Sequence, residues 1–397
     1  MSNYRSESHA IYIHIPFCRI RCTYCAFNTY TDQNHLIEDY VQALIQEIQF
    51  LGQTLPDEPL KAHTIYFGGG TPSLLKPRQV EQIIEAVQQE FVVDSGVEVS
   101  LEANPGTVDS ETLRGFRQAG VSRLSMGMQS AHQSELQLFG RLHQHQVVVQ
   151  AVEQARQAGF ENVNLDLIYG VPNQTRRMWQ DSVETALGLL PDHLSLYALS
   201  LEPGTVMTKQ VKYHELPSPD SDLAADMYED ATALLEGAGF IQYEISNWGL
   251  AGKACIHNLQ YWRNLPYLGL GAGAHGYANQ MRTVNAMRPE VYIERLNSKV
   301  DAPLDFPKTP ATIKVDPIDR DTELAETMFM GLRLLDEGLS MSNFETRYGV
   351  QVEDRFENEI KRLVRKGLLV IDGDRLKLTM QARLISNHVF QHFVEPV

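Results

Sequence analysis

Six short apolar runs, at residues 11–15, 64–67, 97–103, 123–128, 163–169 and 194–199, recur through the first half of this chain with amphipathic segments between them. In the segment 77–91, Val80, Ile83, Ile84, Val87 and Phe91 fall on one helical face. Strands alternating with helices predict an α/β architecture with a parallel sheet, because parallel neighbours need a long, usually helical crossover. The sheet can close toward a barrel or stay open; either way, ligands bind at the C-terminal ends of the strands.

Side-chain parity sharpens the expectation. Successive residues of a strand face opposite ways, so Ser100, Glu102 and Asn104 share one face while Val99, Leu101 and Ala103 take the other. Ser125, Gly127 and Gln129 follow the same rule, as do Asn164 and Asp166. Three strands thus aim polar groups at one interior, where a barrel without a ligand carries bulky apolar fillers. The competing arrangement is an open sheet whose polar face meets solvent.

Directly after the first run, Cys18, Cys22 and Cys25 stand in a C-x3-C-x2-C spacing. A four-iron cubane normally takes four thiolates, so three in one loop leave one iron open to another ligand. A closed zinc site is the alternative and needs a fourth ligand. Cys255, the only other cysteine, lies far along the chain, whereas His14 is near.

Four cysteines in 397 residues, three of them crowded together, do not form a disulfide framework. The N-terminal stretch 1–10 is polar and no run reaches the roughly 18 apolar residues of a membrane span. The expected location is cytoplasmic. With 34 basic and 50 acidic residues the formal charge is −16, which disfavours a partner held by phosphate neutralisation. The length suffices for two or more units.

Gly68-Gly69-Gly70-Thr71-Pro72 follows the second run; its missing side chains let backbone approach a ligand, though it matches neither a P-loop nor a dinucleotide fingerprint. The cysteine loop, this GGGTP turn, Leu101-Glu102-Ala103-Asn104-Pro105-Gly106, Ser125-Met126-Gly127-Met128-Gln129-Ser130, Gly140-Arg141-Leu142-His143, Asn164-Leu165-Asp166-Leu167-Ile168-Tyr169-Gly170-Val171-Pro172 and Leu201-Glu202-Pro203-Gly204-Thr205 occur in the order found in one protein group. The chain resembles the radical S-adenosylmethionine (SAM) superfamily, and within it the HemN/HemW group of anaerobic coproporphyrinogen III oxidases and haem chaperones. The resemblance runs through nearly the whole chain.

That resemblance implies a partial (β/α)6 TIM-like barrel over residues 1–240 with a 4Fe-4S cluster on Cys18, Cys22 and Cys25. SAM chelates the open iron and, on reduction of the cluster, yields a 5'-deoxyadenosyl radical. The positions matching SAM contacts are Tyr12, Gly69, Gly70, Thr71, Glu102, Gln129, Arg141, Asp166 and Ala198. Their chemistry suits the ligand: carboxylates can accept from its amino and ribose groups, and a guanidinium can meet its carboxylate.

Two features separate the chaperones from the oxidases. The oxidase carries a further cysteine where this chain has Phe27, and a longer segment ahead of its cluster. Both departures match the chaperone type, HemW. The run His257-Asn258-Leu259-Gln260-Tyr261-Trp262 resembles the HNxxYW haem motif of that type, which implies His257 as an axial ligand with Tyr261 and Trp262 against the macrocycle. Cys255 reads first as a small core thiol and second as a further haem contact.

Residues 241–320 are expected to hold this motif, a Gly-rich segment at 269–276 and a Pro-containing linker at about 301–317. Residues 321–397 combine a helix carrying Leu324, Met328 and Leu332, a helical stretch at 352–366 and a hairpin with Asp-Gly at its turn, a winged-helix-like pattern. From Val352 onward eight Lys or Arg face seven Asp or Glu, too balanced for a phosphate-reading surface, so a lid or docking role is expected and nucleic acid is not. The function implied is delivery of haem to acceptor haemoproteins, with respiratory proteins as candidates and membrane contact only through the acceptor. SAM cleavage without coproporphyrinogen oxidase activity is expected. The alternatives are the oxidase reaction and a winged-helix regulatory module.

Overall fold

All six apolar runs are strands in the computed structural model, which describes residues 8–55, 59–141, 143–299 and 303–394. Residues 1–7, Leu142 of the fifth motif stretch, and the first two residues of the expected linker lie outside the described residues. β1 (His9–Ile15) leads through the cysteine loop to α1 (Ile37–Thr54), followed by β2 (Lys61–Gly69), α2 (Pro77–Glu90), β3 (Val92–Ala103), α3 (Ser110–Gln118) and β4 (Arg123–Gln129). Then come α4 (Gln133–Leu138), α5 (His145–Gln157), β5 (Val163–Tyr169), α6 (Arg176–Gly188) and β6 (His193–Ala198). These strands pair in chain order, each parallel to the next.

Local chemistry starts the crossover helices where they are needed. Asp109 caps α3 by accepting from the Glu111 and Thr112 amides, and Thr175 caps α6 through the Met178 amide. Pro77 opens α2, where a missing N–H costs nothing. The apolar strand faces, including Val99, Leu101, Leu124, Met126 and Leu165, pack with these helices into one large core. The opposite faces meet one another: Asn164 Nδ2 donates to Ser125 Oγ at 2.7 Å and to Asp166 at 2.7 Å. Ser100 and Asn164 are fully buried, so the polar face encloses an interior and is not a solvated sheet surface.

The second half of the chain widens the sheet at both edges. After α7 (Val206–Lys212) and α8 (Ser221–Gly237), β7 (Ile241–Glu244) and β8 (Asn247–Gly249) add antiparallel beyond β6. α9 (Ile256–Trp262) crosses back, and β9 (Tyr267–Leu270) joins β1 in parallel. β10 (His275–Ala278), β11 (Met281–Asn285), α10 (Pro289–Asn297) and β12 (Thr312–Pro317) complete the run. Among the described residues the sheet takes the order β12-β11-β10-β9-β1-β2-β3-β4-β5-β6-β8-β7, a partial barrel whose edge strands β12 and β7 do not pair with each other. Residues 312–317, expected to be linker, form the edge strand β12, where a terminal proline breaks no ladder on the solvent side.

A separate small core organises the C-terminal unit. α11 (Arg320–Gly331), β13 (Leu339–Ser340), α12 (Met341–Tyr348), α13 (Val352–Arg365), β14 (Leu369–Asp372) and β15 (Arg375–Leu378) form helices beside a three-stranded antiparallel wing, followed by α14 (Met380–Arg383) and α15 (Ser386–Phe390). Leu324, Met328, Phe344, Phe356, Ile360, Leu363 and Leu376 make its core. Gly373, at φ 58°, supplies the left-handed conformation of the wing turn.

One buried carboxylate ties the added strands to the barrel. Glu47, on α1, accepts from the Gly271 amide at 2.8 Å, Tyr292 Oη at 2.6 Å, Asn285 Nδ2 at 2.8 Å and Thr309 Oγ1 at 2.8 Å. Burial pushes its pKa up while these donors pull it down. Glu47→Ala would strand four donors, and should destabilise the protein by roughly 3 kcal/mol, read as a lower urea midpoint. Glu47→Gln should recover part of the loss.

Candidate functional site at the barrel mouth

The cysteine loop is held at the C-terminal end of β1 by backbone bonds from three directions. Cys18 N donates to Tyr30 O at 3.0 Å, Thr23 N to Phe139 O at 3.0 Å, and Met207 N to Thr23 O at 2.9 Å. Cys18 is buried and accepts from Thr71 Oγ1 at 3.5 Å, whereas Cys22 and Cys25 are partly exposed. Burial pushes the Cys18 and Cys25 thiols up. A cavity of about 360 Å³ opens beside Cys22, lined by Thr71, Asn104, Gly106, Arg141 and His143 among others.

The glycine turn fits against this loop because it lacks side chains. A Cβ on Gly70 would lie 2.7 Å from the Phe17 carbonyl oxygen, and one on Gly69, at φ 114°, would lie 2.5 Å from the His14 ring. The freed Gly69 amide donates to Glu102 Oε2 at 3.1 Å, and Tyr66 Oη donates to Oε1 at 2.9 Å. Glu102 is enclosed by protein yet reachable by solvent; desolvation, then the nearby Asp166 charge, raises its pKa to about 7. Burial also raises that of Asp166.

Arg141 completes the group from the loop after α4. Its Nη2 donates to Tyr24 Oη of the cysteine loop at 2.9 Å, and its buried Nε has no partner. Gln129 ends β4 at φ 65°, beside Gly127, where an added Cβ would lie 2.7 Å from Gln129 Nε2 and 3.4 Å from Arg141 Nη2. The structure therefore brings Gly69, Gly70, Thr71, Glu102, Gln129, Arg141 and Asp166 to one end of the barrel with the three cysteines. Ala198 ends β6 in register with Tyr169 and is exposed. Tyr12 faces the interior, hydrogen-bonded to His14 Nδ1 at 3.1 Å and stacked on Tyr66.

These residues fit a cluster with a chelated cationic ligand. Two desolvated carboxylates lack a full complement of donors, and a guanidinium edge is unpartnered where an acidic group could meet it. A closed zinc site fits poorly. His14 Nε2 is bonded to Asn28 O at 2.9 Å and its Nδ1 to Tyr12, while Cys255 lies toward the opposite end. Among the described residues no three His, Cys, Asp or Glu side chains converge as one metal ion would require.

The proposed haem residues lie elsewhere. The run His257 to Trp262 forms α9, which packs against the N-terminal end of β2 and plugs the barrel from below. His257 is 1% exposed, its Nδ1 hydrogen-bonded to Thr64 Oγ1 at 2.9 Å and its Nε2 to Tyr261 Oη at 2.8 Å. The ring stacks on Tyr66 at 4.9 Å. Glu98 holds the helix start by accepting from the His257 and Ile256 amides and from Cys255 Sγ. Cys255 is a buried free thiol. In this arrangement His257 presents no open nitrogen, and Trp262 alone of the motif lines a cleft, on the side of the C-terminal unit.

Sequence reasoning passed over Tyr66, Glu98 and Arg123, a guanidinium only 2% exposed that lies among Cys255, Glu98 and Tyr66. Parity could have placed Tyr66 inside with Thr64 and Gly68, and Arg123 inside with Ser125; nothing local marked Glu98 as the anchor of a helix 158 residues away.

The Radical SAM superfamily pattern matches residues 12–186, and that of the HemN C-terminal domain residues 318–385. The chain is 38% identical to the haem chaperone HemW of Bacillus subtilis over 96% of this chain and 98% of that protein. It is 34% identical to the haem chaperone HemW of Lactococcus lactis, covering 98% of each. Among solved structures, the coproporphyrinogen III oxidase HemN of Escherichia coli superimposes with a TM-score of 0.81 at 24% identity, covering 98% of this chain and 90% of that one, a likeness of fold.

Replacing Cys18, Cys22 or Cys25 by Ser should abolish the visible charge-transfer absorbance after anaerobic reconstitution with iron and sulfide, and Cys255→Ser should retain it. Stoichiometric zinc without iron uptake would contradict this reading.

SAM affinity should rise with pH through about 7, because Glu102 must shed its proton before it can accept from a cationic ligand. Equilibrium binding in Glu102→Gln should lose this part of the pH dependence as well as affinity.

Proposed function

Because the chain belongs to the family of the haem chaperone HemW, within the radical SAM superfamily, we propose that it binds haem and passes it to acceptor haemoproteins. The observation that carries the proposal is likeness along nearly the whole chain to relatives named as haem chaperones. Phe27, standing where the oxidase has a further cysteine, supports it.

At the barrel mouth, Cys18, Cys22 and Cys25 would hold a 4Fe-4S cluster, which with SAM supplies one-electron cleavage of a C–S bond. Gly69 and Gly70 let the backbone approach the amino-acid end of the ligand. Glu102 accepts from its amino group, Arg141 meets its carboxylate, and Asp166 accepts from its ribose hydroxyls. Gln129, Thr71, Tyr12 and Ala198 complete the proposed contacts. Such a site would not commit the protein to porphyrinogen decarboxylation, and we propose slow SAM cleavage without that reaction.

Haem binding is proposed at α9, with His257 as axial ligand. Burial lowers its pKa to about 3, so the imidazole is neutral and able to bind a metal. Ligation would require Nε2 to exchange the Tyr261 hydroxyl for iron and α9 to lift from the barrel, which gives up the bond from Nδ1 to Thr64 of β2. The proposed site of action is the cytoplasm, with respiratory haemoproteins as candidate acceptors. No helix among the described residues is long and apolar enough to cross a membrane.

Titration of the reconstituted protein should give about one haem per chain with a Soret band of ligated iron, and His257→Ala should shift or remove that band while sparing the cluster. Assayed anaerobically with SAM and reductant, the protein should release 5'-deoxyadenosine and leave coproporphyrinogen III unconverted. Conversion to protoporphyrinogen IX would establish the oxidase reading; absence of haem binding would defeat the chaperone one.

A further inference from the structure

A cleft of about 700 Å³ separates α9 from the C-terminal unit, within the 300–1,000 Å³ range of pockets that enclose small ligands. We propose that this cleft holds the haem macrocycle by its faces and its carboxylates, with the iron left unbound by the cleft itself. The proposal rests on the haem-binding reading above and assigns that reading a place.

The shape and composition of the walls point to a flat, amphipathic dianion. Trp262 and Leu265 supply partly exposed apolar surface on the α9 side, and Leu334 and Phe344, each 2% exposed, underlie the facing wall. The Arg333 guanidinium lies 4.1 Å from the Trp262 ring centroid, which holds the indole in place. The buried Trp262 Nε1 has no partner, a donor for which a ligand oxygen is suitable.

Charge narrows the class further. Two carboxylates line the cleft, and both are already paired: Glu337 with Arg263 at 2.8 Å, and Glu323 with Arg347 at 3.2 Å. The remaining lining cations are Arg320, at the start of α11, and Arg375, on the wing strand β15. Two guanidinium groups beyond those neutralised in place suit two carboxylates, which a haem carries as propionates.

The lining contains no His, Cys or Met among the described residues, and the hydroxyl of its tyrosine, Tyr348, is engaged with Thr327 Oγ1 at 2.7 Å, so no nitrogen, sulfur or phenol ligand is offered to iron in the cleft. His257 points to the other side of α9, into its bonds with Thr64 and Tyr261. A macrocycle held in the cleft by shape and carboxylates has no strong iron bond to break before it passes to an imidazole, that of His257 first. It also stands at the end of the motif helix, where α9 can later deliver a ligand.

The test uses the full-length protein with metal-free protoporphyrin IX and haemin as probes, titrated by fluorescence quenching and absorbance. Asn343 is an exposed lining residue of α12, and Asn343→Trp would intrude into the cleft; Arg375→Glu reverses a proposed carboxylate partner. Wild type should bind both probes, each variant should weaken both by about tenfold or more, and the porphyrin dimethyl ester should bind wild type comparably weakly. Thermal unfolding midpoints check that the variants are folded; if either is not, the ester comparison on wild type still decides. Unchanged affinity in both folded variants, equal binding of the ester, or binding of haemin without the metal-free macrocycle would overturn the cleft while leaving haem binding intact. If wild type binds neither probe, the haem-binding reading falls with it.

Discussion

Two carboxylates facing each other inside a barrel mouth constrain everything around them. Burial in a protein-lined interior raises the cost of ionising both Glu102 and Asp166, and the Asp166 charge adds to it for Glu102. A purely structural sheet would place Val or Leu at those positions. The chain keeps the acids and surrounds them with donors from Tyr66, Gly69, Ser125 and Asn164, leaving space and unsatisfied capacity at the strand ends. A cationic ligand relieves that arrangement, and the cysteine loop sits directly beside it. The parallel order of β1 to β6 is what brings these groups to one end, since every strand in such a sheet points its C-terminal end the same way.

The opposite end of the barrel is closed by α9, whose short length is offset by dense anchoring. Glu98 holds its start, Thr64 and Tyr261 hold His257, and Gln260 Nε2 donates to the carbonyls of Ser8 and Pro266. Tyr66 connects the two ends: its ring stacks on His257 and its hydroxyl donates to Glu102. A displacement of α9 therefore removes packing from the residue that orients a carboxylate at the mouth. The proposed haem ligand and the proposed SAM site are separate in space but share this one tyrosine.

Much of this was legible in the sequence because it is local or periodic. The six strands showed as apolar runs, the interior as polar alternation on three of them, and the cysteine loop as close spacing. The wing hairpin showed through its Asp-Gly turn. The strands β7 to β12 were not legible: several are three to five residues long, interrupted by glycine, and stabilised by partners far away in sequence. β12 lay hidden in what composition marked as linker. The environment of His257 was equally hidden, since its partner Thr64 lies 193 residues away and no local pattern distinguishes a buried, fully bonded imidazole from an open one. The cleft beside Trp262 arises only when the C-terminal unit packs on α9, and periodicity within either piece says nothing of it.

The most direct test of the whole account is haem delivery. Reconstituted protein loaded with one haem is mixed anaerobically with an apo-haemoprotein, and both spectra are followed in time. The account predicts that the acceptor's native haem spectrum grows as that of the donor falls, one haem lost for each haem gained. Haem that stays bound to this protein in the presence of a competent acceptor, or an acceptor that fills no faster than from free haem at the same concentration, would contradict it.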